Sequence, residues 1–345
     1  MTVRSHIKIE PGLKVAAQMP PEPTNEQLAF VRQMGVNYAV TWIDPEKAGP
    51  DYYLSRRKRF EEGGIKLYGL GNHSVHNVPE ITLNLPNRNE KVEEYKRHIR
   101  NLGQADIPYT TYAHMASSVW STPPEETRGG APARAFDSSR LKEASSISHS
   151  DRSNSWIDGS KLTHSREYTE EELWENFTYF AQEIAPVAEE AGVRIGIHPD
   201  DPPGVNLGGV PRPIFSSFDG YSRAIEIANS PNVGLCLCIG CWLEGGQAMG
   251  KGVVETIHHF GEQGKIFKVH YRNVDKPLPH FVETFVDDGY FDMYEAMKAL
   301  AEVGYDGTLI PDHIPTMGDD PRIGEAYTLA YMRALQKRAE EEVVS

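Results

Sequence analysis

Four residues with metal-binding side chains recur at intervals of about one strand–helix unit. They are His198, Cys238, His270 and Asp312, separated by 40, 32 and 42 residues. Each stands at or near the end of an apolar run: VRIGIH (193–198), VGLCLCI (233–239), KIFKVHYRNV (265–274) and GTLIPDH (307–313). Two neutral imidazoles, a thiolate and a carboxylate make an N2SO donor set suited to a divalent ion. Taken singly, each residue has a plainer role. A strand-end histidine often only satisfies a hydrogen bond, a strand cysteine packs as a small apolar side chain, and an aspartate after a strand often caps a helix. Four together at matching register point to a metal site. Cys236 shares a strand face with Cys238, so either thiol fits, and position favours Cys238. Cys241 lies beyond the strand and is the weakest of the three.

The same loops carry other groups able to handle an organic acid. Asp200 and Asp201 follow His198 in HPDDPP, Arg212 lies in GVPRP, and Arg272 stands two residues past His270. Arg212 and Arg272 are candidates to clamp a carboxylate with two parallel hydrogen bonds, with Asp200 also on the substrate side. His313, Tyr327 and Asp201 are the candidates for proton transfer, and Tyr331 lies one turn beyond Tyr327. The plainer roles are ion pairs for the arginines, turn or cap residues for the aspartates, and helix packing for the tyrosines.

Residues so far apart in sequence meet only if parallel strands end on one rim. Four earlier runs complete such a set: LKVAAQM (13–19), VNYAVTW (36–42), KLYGLGN (66–72) and IPYTTYAHM (107–115). Helical patterns follow at about 25–34, 52–62, 90–104, 170–191, 220–228, up to about 260, 293–303 and 323–341. Thr169 and Glu172 form a capping-box pattern, and Gly192 closes the same helix. Strands rich in Val, Ile and Leu suit a parallel sheet buried on both faces. Eight strands, each followed by a helix, give an α/β chain with a (β/α)8 TIM barrel as its architecture; an open doubly wound sheet is the rival. The expectation is one domain over 1–345. Residues 121–168 interrupt the rhythm with Ser, Pro, Gly and Arg, and SSISHSDRSNS (145–155) holds six serines. They are expected to form a long lid-like loop inserted after strand four, or else a plain surface loop.

Composition narrows the partners. The 345 residues carry 35 Lys and Arg against 49 Asp and Glu, a net charge of −14. That balance argues against nucleic acid or an anionic membrane as partner and leaves a small molecule. No apolar run is long enough to span a bilayer, and MTVRSHIKIEPGLKV offers no secretory core. Three clustered cysteines are not a disulfide framework, so a reducing compartment, the cytoplasm, is expected. A homo-oligomer, dimer or tetramer, is the default for a soluble enzyme.

Longer motifs carry a resemblance. HSVHNVPEITLNLPNRNEKVEEYKRHIRNLGQADI, EEELWENFTYFAQEIAPVAEEAGVRIGIHPDDPPGVNLGGVPRPI, NVGLCLCIGC, KVHYRNV, FDMYEAMKALAEVGYDG and PDH resemble the mannonate dehydratases of the xylose-isomerase-like barrel group. The resemblance runs from about residue 72 to the end, and weakly before it. It implies loss of water from a hexonate, D-mannonate to 2-keto-3-deoxy-D-gluconate, in sugar-acid and hexuronate breakdown. It places the metal ligands on His198, Cys238, His270 and Asp312. The ion it implies is Mn2+, with Fe2+, Co2+ or Zn2+ compatible with the donors. The chain departs from the family pattern on the substrate side. Val119 replaces an acidic residue in YAHMASSVW, Val286 replaces a histidine three residues after Glu283, and Asn77 replaces a glutamate. Ile310–Pro311 stands where the family has an arginine before the Asp-His pair, and Ile314 follows that pair where the family has glycine. A metal-dependent isomerase or epimerase on the same barrel is the alternative, and a non-catalytic sugar-acid binding protein the more distant one.

Overall fold

The computed structural model describes residues 6–43, 49–116, 118–147, 154–156 and 158–344. Residues 148–153 and 157 of the expected insertion, and the first five residues of the N-terminal run, lie outside the described residues.

The expected parallel strands form. The first is split at Ala16 into β1 (Lys14–Val15) and β2 (Ala17–Met19), followed by β3 (Tyr38–Ile43), β4 (Lys66–Asn72) and β5 (Tyr109–Tyr112). Four strands intervene: β6 (Val119–Thr127), β7 (Ala131–Asp137), β8 (Ser145–Ile147) and β9 (Asn154–Trp156). The parallel series resumes with β10 (Arg194–Ile197), β11 (Val233–Cys238) and β12 (Ile266–Tyr271). Then come β13 (Asn273–Val274), β14 (His280–Thr284) and the last barrel strand, β15 (Thr308–Pro311). The order around the sheet is β1-β15-β12-β11-β10-β5-β4-β3-β2. Because β1 pairs with β15 and β2 with β3, the interrupted first strand joins the two ends of the sheet. The open-sheet rival therefore falls: this is a (β/α)8 barrel.

Helices cover the outside: α1 (Asn25–Gln33), α2 (Pro50–Glu62), the short α3 (Pro79–Thr82), α4 (Arg88–Gln104) and α5 (Glu170–Ala191). They continue with α6 (Phe218–Ala228), α7 (Ile239–Gly245), α8 (Val253–Glu262), α9 (Met293–Glu302) and α10 (Pro321–Val344). The capping box of α5 is made as the sequence implies. Thr169 Oγ1 accepts from the Glu172 amide at 3.2 Å, and Glu172 Oε2 accepts from the Thr169 amide at 2.9 Å. Such a cap contributes about 1 kcal/mol. Gly192 ends the helix at φ 70°, a left-handed position that disfavours a side chain.

Two apolar layers follow from strands buried on both faces. Outside, strand residues such as Ile195, Leu235 and Val269 pack against Phe177, Ile184 and Leu300 of the helices. Inside, Ala16, Val40, Tyr68, Tyr109, Phe267 and Ile310 fill the barrel. Gly196 makes room there, since a Cβ at that position would lie 2.5 Å from Tyr109 Oη.

Residues 121–168 are not the expected structureless loop. β6 and β7 form a hairpin, β8 and β9 add to one side, and β14 and β13 add to the other, in the order β13-β14-β7-β6-β8-β9. All pairings in this second sheet are antiparallel. Polar, proline-bearing strands give weak periodicity, which is why the sequence pattern does not show them.

His98 on α4 is sealed in this shell, with Nδ1 2.6 Å from Tyr53 Oη and Nε2 3.0 Å from Thr110 Oγ1. Burial lowers its pKa from 6.5 to about 3. The unfolded chain therefore takes up a proton that the folded chain refuses, and stability falls as pH drops from 6.5 toward 3. We expect His98→Gln to flatten this fall by roughly 2 kcal/mol between neutral pH and about pH 5. Urea unfolding at the two pH values checks this; equal slopes for both proteins would show that folded His98 takes up the proton.

Candidate active site

Register sets the four donors side by side. Cys238 at the end of β11 lies opposite His270 on β12, and His270 lies opposite Ile310, two residues before Asp312. His198 follows directly on β10. The resulting distances are 3.1 Å from His198 Nε2 to His270 Nδ1, 3.4 Å from His270 Nδ1 to Asp312 Oδ2, and 3.9 Å from Cys238 Sγ to Asp312 Oδ2. Two overlapping triads arise, His198–Cys238–Cys241 and Cys238–His270–Asp312, each with ligand atoms within 4.8 Å of one another. Cys238 rather than Cys236 is the thiol in both. Cys241, the weakest candidate of the sequence reading, joins because α7 begins directly after Cys238. One helical turn then brings its amide to 3.5 Å from Cys238 Sγ.

The donors suit a cation. His198 Nδ1 faces the Pro199 carbonyl at 2.7 Å, which fixes the tautomer with the Nε2 lone pair toward the cluster. Burial alone would raise the Cys238 thiol, but the contact with Cys241, the Arg272 guanidinium and the two imidazoles hold it well below its usual range. Burial also opposes ionisation of Asp312, and His313, His270 and Arg272 overcome it. Burial would strip His270 of its proton, whereas Cys236 and Asp312 hold it on. A thiolate and a carboxylate thus converge beneath a rim where positive charge is favoured.

Beside the donors lies a sealed ion network. Arg272 is 2% exposed. Its Nη1 donates to Glu283 at 2.6 Å and its Nη2 to Glu244 at 2.8 Å, with Asp201 at 3.4 Å and Cys238 Sγ at 3.4 Å. Arg134 reaches in from β7, pairs closely with Asp201, and donates to Glu283 at 2.7 Å and to the Trp120 carbonyl at 2.8 Å. Burial and the neighbouring Asp201 push Glu244 far above the usual carboxylate range, so it holds its proton. Burial works against the Asp201 charge too, but Arg134 and Arg272 keep its pKa low. Two guanidiniums then face two carboxylates, Asp201 and Glu283. Gly240 lets Arg272 pass, since a Cβ there would lie 2.0 Å from its Nε.

These contacts redirect several expectations. Arg272 and Arg212 do not present their guanidinium groups as an open carboxylate clamp. Arg212 is buried, with Nη1 donating to the Pro202 carbonyl at 3.1 Å and Nη2 to that of Ser118. Asp200 is buried and accepts from Ser216 Oγ at 2.9 Å, so it braces its own loop. Asp201, expected among the proton carriers, is sealed between guanidiniums. Tyr327 contacts Arg128 at 3.4 Å and the Phe285 ring instead of joining the donors, and Tyr331 packs against the core. His313 does stand at the centre. It holds φ at 46°, its Nδ1 lies 2.8 Å from Glu283 Oε1, and it is one-third exposed. Burial would lower its pKa, but Asp312 and Glu283 raise it.

A model of the D-mannonate dehydratase (UxuA) family matches residues 22–342. The chain belongs to the mannonate dehydratase family. It is 30% identical over 317 residues to a mannonate dehydratase of Thermotoga neapolitana, covering 83% of this chain and 86% of the relative. It is also 30% identical over 272 residues to mannonate dehydratase 2 of Halalkalibacterium halodurans, covering 75% and 77%. The crystal structure of mannonate dehydratase from Streptococcus suis serotype 2 superposes with a TM-score of 0.80 at 25% identity, covering 96% of each chain. An L-ribulose 3-epimerase structure reaches a TM-score of 0.61 at 14% identity, covering 97% of this chain and 98% of the other, and shares the fold alone.

Of the residues expected to depart from the family pattern, Val119, Val286 and Asn77 are packed inside the protein. Val119 clusters with Ala113 and Met115, and Val286 is buried in the main core. Asn77, at φ 58°, accepts from the Met115 amide at 2.6 Å. Sequence reasoning missed Arg134, Glu244 and Lys268. Glu244 and Lys268 had a signal, a lone charge in the runs CIGCWLEGG and IFKVH, and both are buried. Arg134 had none, because its partners lie far away in sequence.

The network predicts a contrast in stability. Asp201→Asn leaves two buried guanidiniums short of a carboxylate and is expected to cost about 3–5 kcal/mol. Glu244→Gln mimics the protonated acid and is expected to stay within about 1 kcal/mol of the parent. Denaturant unfolding of both variants tests this; a Glu244→Gln loss as large as that of Asp201→Asn would mean that Glu244 is ionised.

Proposed function

We propose that the chain is a metal-dependent hydro-lyase that removes water from D-mannonate to give 2-keto-3-deoxy-D-gluconate. Convergence of His198, Cys238, His270 and Asp312 beside His313, in a chain of this family, carries the reading. Those four residues hold the divalent ion. Mn2+ is the ion proposed, on the family resemblance, since the donor types alone accept Fe2+, Co2+ or Zn2+ equally. When bound, such an ion polarises substrate oxygens and steadies negative charge on the departing hydroxide.

The chain's own groups supply the rest. His313 carries a proton that Asp312 and Glu283 hold on it. Its Nδ1 sits between Glu283 Oε1 at 2.8 Å and the Arg272 guanidinium, and its Nε2 lies 3.9 Å from Asp312 Oδ1. That arrangement suits a general acid for the leaving hydroxyl. Arg272 acts through its neighbours: it keeps Cys238 and Asp312 ionised and fixes Glu283 behind His313. Arg212 and Asp200 hold the loop after His198. Tyr327, with Arg128 of the β6–β7 turn, is read as a latch at the rim.

The chain is read as one barrel domain, with residues 121–168 as a cover for the site. The Thr316 amide donates to the Pro132 carbonyl at 3.0 Å, which ties that cover to the loop after His313. No helix among the described residues is long and apolar enough to cross a membrane. The net charge of −14 fits a small-molecule substrate rather than nucleic acid, and the enzyme is read as cytoplasmic, acting on a small sugar acid and assembling as a dimer or tetramer.

Mass spectrometry of the Mn2+-loaded protein with D-mannonate is expected to show loss of one water. A product of unchanged mass would replace dehydration with isomerisation or epimerisation. His313→Ala is expected to lower turnover roughly a hundredfold or more, with metal content retained. Near-parental turnover would remove His313 from the mechanism. Cys238→Ser is expected to weaken metal binding at least about tenfold while the fold persists. Unchanged affinity would move the thiolate ligand elsewhere.

A further inference from the structure

Beside the metal donors a cavity of about 450 Å³ opens along the loop after β15. Asp312 and His313 line it together with Gln18, Ile314, Met317 and Glu325. Gln18 projects from β2 between two buried neighbours, Ala17 and Met19, and is exposed. Glu325 lies on α10, half-buried, with no hydrogen bond or ion pair to any described residue. Burial alone pushes its pKa upward, with no cation to offset it. A half-buried carboxylate without a donor is costly, and hydroxyl groups are the donors that relieve it without adding charge. The apolar walls from Ile314 and Met317 suit the C–H faces of a hydroxylated chain.

The inference rests on the dehydratase reading. The substrate carboxylate and the two carbons that react must lie next to His313 and the donors. The remaining carbons of an acyclic acid then extend along the cavity toward Gln18 and Glu325. We propose that Glu325, assisted by Gln18, is the specificity-determining residue of this site. It grips the distal hydroxyls of a monocarboxylic sugar acid and repels a second carboxylate at the far end. Asp319, also on the cavity wall, adds to that repulsion. The aldonic acid of the proposed function has such a neutral hydroxylated tail, and the corresponding diacid of equal length is rejected at Glu325 through like charge.

The test compares the full-length Mn2+-loaded protein with Glu325→Gln and Glu325→Leu. Each is given a six-carbon aldonate, the aldarate that differs only in its terminal carboxylate, and a four-carbon aldonate without the tail. Calorimetric binding and mass-detected dehydration are both recorded, with thermal unfolding as the check on folding. In Glu325→Gln, the affinity ratio of aldarate to aldonate is expected to rise about tenfold as the like charge is removed. In Glu325→Leu, the ratio of KM for the six-carbon acid to KM for the four-carbon acid is expected to rise about tenfold as the hydroxyl contacts are lost. The same ratio of dissociation constants is expected to follow. Folded variants whose ratios stay within about twofold of the parent would overturn the subsite. Loss of the dehydration reading looks different. The parent would then bind acids without releasing water, and the binding ratios would still decide the role of Glu325.

Discussion

The guanidinium of Arg272 is the group on which the site depends. It is a fixed positive charge, inside the protein, at the point where acidic side chains from four elements converge: Cys238 of β11, Glu244 of α7, Glu283 of β14 and Asp201 of the loop after β10. In water such contacts would contribute little. In a sealed interior the same charges must be matched or neutralised, because an unpaired buried charge costs several kcal/mol. Two consequences follow. Glu244 keeps its proton, so the charges nearly cancel. Cys238 and Asp312 lose theirs, so two strand ends are anionic before any ligand arrives.

The second guanidinium explains how the antiparallel sheet belongs to the barrel. Arg134 stands on β7, yet its partners are Asp201 and Glu283. An insertion joined to a barrel by apolar contact alone could slide. The Arg134–Asp201 ion pair, directional through its hydrogen bond, fixes one position, and the Trp120 amide of β6 donates to the Asp201 carbonyl at 3.2 Å beside it. The arginine serves both structures: it completes the charge balance around Arg272 and pins β6 and β7 over the rim that carries the donors.

Much of this was legible in the sequence, for a physical reason. Strands buried on both faces read as apolar runs, and helices with one buried face read with their own period, so the barrel elements emerge within a few residues of their observed ends. Strand ends in a parallel barrel share a rim, so His198, Cys238, His270 and Asp312 could be brought together without a structure. What failed was whatever depends on burial of polar groups. Arg212, Arg272 and Asp201 look like substrate-facing charges in a sequence, because nothing local says that each one's partner lies inside the protein. The antiparallel sheet failed for a related reason. Its strands are short and polar, and they are held by pairing with β14 nearly 150 residues away, so no local period marks them.

The charges near this rim fall into two sets with different freedom to change. Arg272, Asp201, Glu244 and Glu283 are buried and pair with one another and with the partly exposed Arg134, so altering any one leaves another short of a partner and the cost falls on the fold. Gln18, Glu325 and the loop 313–319 face a cavity, and the side chains of Glu325 and Gln18 make no hydrogen bond to a described residue, so altering them disturbs little but what enters. The departures from the family pattern fit this division. Val119, Val286 and Asn77 have been absorbed into packing on the covered side, while Ile314 lines the cavity beside His313. On the proposed reading, the donors and the sealed network carry the chemistry of water loss, and the choice of sugar acid falls to the half of the site that bears no load for folding.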